Sequence, residues 1–77
     1  MFAFDGIRKK ILRTLEKLMN KKDIVRMTHQ GLAEMLATYR ETVSEILRNV
    51  KSEGVVRGQS YGRIDLDRIR LREELPL

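Results

Sequence analysis

The stretch THQGLAEMLATYRETVSEILRNV, Thr28 to Val50, carries two apolar periodicities separated by Ala37-Thr38-Tyr39. In the first, Leu32, Met35 and Leu36 share one face of a helix barely two turns long. In the second, Val43, Ile46, Leu47 and Val50 do the same along a longer helix. Thr28 stands where an N-cap would open the first helix, with Met27 and Leu32 placed as a hydrophobic staple. Gly54 falls where a left-handed residue would close the second helix. Two helices joined by so short a turn form a helix-turn-helix pattern over 28–54, with its second helix over 40–53.

Upstream, FDGIRKKILRTLEKLMN places Ile7, Ile11, Leu15 and Leu18 at helical spacing, widened by Leu12 and Met19. Arg8, Lys9, Arg13 and Lys17 fall on the opposite, solvated face, and Asp5 stands as the N-cap. Ile24 to Met27 is a short β-branched run, read as a brief strand. Downstream, VVRGQSYGRIDLD predicts strands at Val55–Arg57 and Arg63–Leu66 around a turn at Gly58–Gly62, a hairpin with basic residues at its neck. Asp67 caps a last short helix with a thin apolar face of Ile69 and Leu71, and Pro76 ends the chain. Met19, Met27 and Met35 are assigned to the core. The fold class expected is α+β, mainly α. It is a winged helix-turn-helix, with a three-helix core, a C-terminal β-hairpin wing over 55–66 and a short last helix, all in one domain spanning 1–77.

Seventy-seven residues bury a limited core, because a chain of this size hides only ~60% of the surface its unfolded form exposes. Sixteen Lys+Arg against eleven Asp+Glu give a net charge of +5, a balance found in proteins that bind nucleic acid and also in many that do not. The absence of cysteine removes disulfides and thiolate metal ligands, and a single histidine cannot build a metal site by itself. No nucleophile–His–acid set or Gly-rich phosphate loop appears, so neither an enzyme nor a cofactor protein is expected. No apolar run reaches the ~20 residues of a membrane helix, and MFAF lacks the features of a signal peptide. A cytoplasmic protein is expected.

On the second helix of the pattern, Glu41, Ser44, Glu45, Arg48 and Ser52 project away from the apolar face, and Tyr39 and Arg40 lie at its N-terminal tip. In a helix-turn-helix that tip meets base edges. Arginine can grip guanine O6 and N7 bidentately, and glutamate can accept from cytosine N4. A competing reading of Glu41 is a capping box, Thr38-x-x-Glu41, and Arg40 can equally be a solvated charge. His29 is expected as an exposed first-turn residue whose functional version is a phosphate contact shared with Gln30. Tyr61 either supports a phosphate contact or closes the turn.

MTHQGLAEMLATYRETVSEILRNVKSEGVV resembles the DNA-binding domain of the Crp/Fnr family of bacterial transcription regulators. The phrases T-x-Q-x-L-A-x-x-L and R-E-T-V-S-x-I-L carry the resemblance, and the flanking helix and hairpin extend it over residues 5 to 72. It implies sequence-specific binding of double-stranded DNA in transcription regulation, by a dimer on an inverted repeat, with RNA polymerase a further candidate partner. Arg40, Glu41, Ser44 and Glu45 are then the expected base-reading residues. Thr28, His29, Gln30, Thr38, Tyr39, Thr42 and Arg48, with Arg57, Ser60 and Arg63 of the hairpin, are the expected phosphate contacts. The sequence departs from the family at four places. Glu45 stands where most members carry an arginine, and Ala37 replaces the common turn glycine. Tyr39 replaces the usual Ser or Thr cap, shifting that role to Thr38, and Gly31 replaces an acidic residue. The sensor barrel and long dimerisation helix usual in the family are missing from the 77 residues, so MFAF is either the tail of that helix or a natural start. The chain alone is expected to be a monomer or weak dimer. The rival reading is a winged-helix protein–protein interaction module without DNA sequence specificity.

Overall fold

The first helix, α1 (Phe4–Leu18), buries Ile11, Leu12 and Leu15 completely, as its periodicity requires. The structure, a computed structural model, describes residues 4–75, with side chains from residue 6. Pro76 and Met1 to Ala3 of MFAF lie outside the described residues. Because α1 starts at Phe4, Asp5 falls inside the helix instead of capping it. Leu18, assigned to the apolar stripe, is 39% exposed because the helix ends there as the chain leaves the core. Arg8 is not a solvated charge. Its guanidinium donates to Glu74 Oε1 at 2.9 Å and also to Glu53 Oε1, joining α1 to two later segments. Burial opposes that charge, but the hydrogen bond to Glu74 and the negative charge of Glu53 outweigh it, so the Arg8 pKa lies above its ordinary value.

The brief strand is shorter than the β-branched run suggested: β1 is Ile24–Val25, and Arg26 and Met27 leave it to enter the next helix. Asn20 shapes the approach by accepting through Oδ1 from the Lys22 and Ile24 backbone N–H groups. The two helices of the motif are α2 (His29–Met35) and α3 (Arg40–Ser52). On α2 the buried face is Leu32 and Ala33, with Leu36 packed beside them. Met35 is 52% exposed, contrary to its core assignment. At ~100° per residue it projects on the flank away from Ala33, and the core has chosen the Ala33 side. Met19 and Met27 do pack against the core. On α3, Val43, Ile46, Leu47 and Val50 are all buried, and each such side chain contributes on the order of 1.5–3 kcal/mol through burial.

Gly54 ends α3 as expected, with φ +90°. Its N–H reaches Lys51 O at 3.0 Å while the Val55 N–H reaches Val50 O at 2.9 Å, the paired bonds of a Schellman motif. The chain then forms β2 (Val56–Ser60) and β3 (Arg63–Leu66), and the three strands make an antiparallel sheet in the order β1-β3-β2. β2 runs further than its apolar residues indicated, so the turn contracts from Gly58–Gly62 to Tyr61-Gly62, with Gly62 at φ +73°. Backbone pairing of Gly58, Gln59 and Ser60 with Asp65, Ile64 and Arg63 carries this polar half. A register shift between Val56 and Gly58 leaves Arg57 as an unpaired bulge residue.

Asp67 caps α4 (Arg68–Glu73), accepting from the Ile69 and Arg70 N–H groups. Only Leu71 of its two apolar residues enters the core; Ile69 is 72% exposed, because six residues give the core a single inward position. The architecture is a winged helix-turn-helix, mainly helical with a small antiparallel sheet. Among the described residues no helix is long and apolar enough to cross a membrane.

Candidate nucleic-acid interface

Thr28 fixes where α2 begins. Its backbone is extended, and its Oγ1 accepts from the Gly31 N–H at 2.9 Å. The hydroxyl proton remains able to donate outward. Gly31 has a packing reason, since a Cβ there would come within 2.8 Å of Met27 Sδ. The glycine lets Met27 close over the start of the helix. Gln30 is exposed and donates to Glu34 Oε2 at 3.1 Å, one turn along the same helix.

In the turn between the motif helices Ala37, which replaces the common glycine, adopts the left-handed conformation with φ +54°. A left-handed conformation costs an L-residue with a Cβ roughly 1–2 kcal/mol. Thr38 does not take over the cap. Tyr39 occupies the N-cap position, with φ −92° and ψ 146°, and its side chain makes no capping bond. The proposed capping box is also blocked at its other end, because the Thr38 N–H that Glu41 would bind is given to Ala33 O at 2.9 Å. Glu41 is therefore left exposed on the first turn of α3.

Arg40, Glu41, Glu45 and Arg48 are all exposed along α3. Among the described residues none of the four lies in an ion pair within 4.0 Å, so Glu45 and Arg48, one turn apart on the same helix, are not paired with each other. Arg8, Arg63, Arg68 and Arg72, in contrast, all have carboxylate partners. Thr42 lies half-buried on one flank of α3 and Ser44 half-buried on the other.

His29 corrects the expectation of a solvent-facing first-turn residue. It is half-buried, with Nδ1 2.7 Å from Ser44 Oγ and Nε2 2.8 Å from Gln59 Oε1. One ring thus touches the starts of α2 and α3 and the outer half of β2. Gln59 was missed in the sequence. Nothing local marks it, since its role depends on the hairpin folding back over α2.

A cleft of about 390 Å³ is lined by Thr28, His29, Gln30, Arg40, Gln59, Ser60, Tyr61 and Gly62. It brings together the start of α2, the tip of α3 and the tip of the wing. Tyr61 projects beside it, 95% exposed. Arg57 and Arg63 are not part of this cleft. They line a second one with Lys22, Asp23 and Asp65, where Arg63 donates to Asp65 Oδ1 at 2.8 Å. On β3 the side chains alternate, with Ile64 buried and Arg63 and Asp65 only half-buried on the other face, while Gln59 pairs with Ile64. Among the described residues no group of three or more His, Asp or Glu side chains could hold a metal ion.

The structure is similar to that of a CRP-family transcriptional regulator of Thermus thermophilus, with a TM-score of 0.75 and 28% identity over 88% of this chain and 39% of that one. It is also similar to the catabolite activator protein of the same organism, with a TM-score of 0.78 and 31% identity over 94% of this chain and 34% of that one. The chain therefore spans well under half the length of these neighbours. A comparison with curated proteins gave no match. Residues 9–74 match the Crp-like helix-turn-helix domain as a family, covering α1 from its second turn through the wing to α4, and the chain belongs to that family.

Proposed function

We propose that this chain binds double-stranded DNA sequence-specifically in transcription regulation, with α3 lying in the major groove. The observation that carries the reading is the outward face of α3, where Arg40, Glu41, Glu45 and Arg48 stand exposed and without intramolecular ion pairs among the described residues. Arg40 and Glu41 offer complementary hydrogen-bonding chemistry to a G·C pair, and Glu45 offers a second acceptor one turn further on. Ser44 still presents lone pairs to a base amino group while its hydroxyl is held by His29. Thr28, Gln30, Thr38, Tyr39, Thr42 and Arg48 set the position on phosphates, joined by Ser60 at the wing tip. Arg57 and Arg63, on the outer face of the wing, reach phosphates further along the duplex.

Residues 1–77 act as one domain, with the helix-turn-helix at 28–54 and the wing at 55–66. In a longer regulator the site is an inverted repeat bound by a dimer, and RNA polymerase is a further partner of that assembly. No catalytic role is assigned, and the cytoplasm is where such a protein would meet DNA. A salt titration of duplex binding tests the reading. Displacement of counterions from phosphates makes log K fall linearly with log salt, while a module that binds only proteins shows no duplex affinity to titrate.

A further inference from the structure

The outer half of β2 has no apolar anchor. Val56 is its last buried side chain, Gly58 has open space where a side chain would stand, and Tyr61 at the tip is almost wholly exposed. Its own side chains add no apolar burial there, so apart from backbone pairing to β3, whose Ile64 is buried, polar contacts must set its place against α2. Among the described residues, the Gln59–His29 bond at 2.8 Å is the one side-chain hydrogen bond joining the wing to α2. The same ring holds Ser44 of α3 at 2.7 Å.

We propose that His29 is a positioning residue that sets the wing against the recognition helix, through Gln59 on one side and Ser44 on the other. Gln59 Oε1 can only accept, so in the neutral ring the proton sits on Nε2, and Nδ1 accepts the Ser44 hydroxyl. Tautomer and hydroxyl orientation are thereby fixed together. Arg40 and the wing tip line the same cleft, so the clasp sets the width of the space into which a duplex strand must fit. A fixed width favours the duplex whose groove geometry matches it, which makes His29 a determinant of selectivity without contact to a base.

This rests on the DNA-binding reading, and the test separates the two. Affinity of the 77-residue chain is measured for its selected duplex and for a random duplex pool across a salt series. In His29→Ala and in Gln59→Ala, the ratio of selected to random affinity falls roughly fivefold, the scale of one hydrogen bond. The double variant falls no further than either single one, and the salt slope stays the same. His29→Gln, whose amide reaches the place of Nε2, restores most of the ratio. Equal loss on both duplexes with a shallower salt slope makes His29 a phosphate contact and overturns the proposal. If the unaltered protein shows no duplex preference, the DNA reading fails and the clasp is judged without DNA. Backbone 15N relaxation of residues 59–62 must then show greater mobility in His29→Ala than in the unaltered protein, and unchanged relaxation overturns the clasp.

Discussion

The Thr38 backbone N–H reaches the Ala33 carbonyl at 2.9 Å and so closes the end of α2, leaving Tyr39 to open α3 with no side chain bonded to the helix start. The Thr38 N–H is thereby taken by α2, and the N-cap position of α3 falls to Tyr39. The same bond also explains why Ala37 is driven into the left-handed region, since the chain must reverse within three residues.

Ala37→Gly should stabilise the fold by about 1 kcal/mol, because glycine adopts a positive φ without the Cβ clash. Ala37 is exposed, so no packing is lost. Chemical denaturation reads the gain as a higher midpoint at unchanged slope. A lower midpoint would mean that the alanine methyl makes a contact worth more than the strain.

Tyr39→Thr should add a further ~1 kcal/mol, since Thr at an extended N-cap position can accept from an unsatisfied N–H of the first turn. Thr38→Ala, at a position that is not the cap, should change stability by less than about 0.5 kcal/mol. If Thr38→Ala instead costs a full cap's worth in the same denaturation experiment, the capping assignment is reversed.

Arg40→Ala should weaken the preferred duplex by ~1–3 kcal/mol and relax the preference at one base pair. Competition binding against duplexes changed one pair at a time measures both effects. A uniform loss on every duplex would make Arg40 a phosphate contact.

Glu45→Arg should raise binding to random duplex and steepen its salt dependence, because a carboxylate near phosphates is exchanged for a guanidinium. The selected motif should also shift towards guanine at one position, which arginine can grip and glutamate cannot. If neither quantity moves, Glu45 points past the groove.

The fold was legible where apolar spacing is strong. Leu32 with Leu36, and Val43 through Val50, located both motif helices, and Thr28, Gly54 and Asp67 marked helix ends. What escaped were features set by tertiary geometry. The polar pairing of Gly58 to Ser60 has no apolar signature, and Met35 and Ile69 look like core residues until the short helices choose a single inward side. The exposed residues of α3 followed from helical projection. The His29–Ser44–Gln59 contacts, spanning 15 and 30 residues of sequence, could not be read from any local pattern.

Selection of bound sequences from a random duplex pool tests the central claim most directly. The unaltered protein should enrich a convergent motif, and Arg40→Ala should lose the preference at one pair of that motif while keeping the remainder. Failure to converge, with retained duplexes no tighter than the starting pool at any salt concentration, would contradict sequence-specific reading by α3.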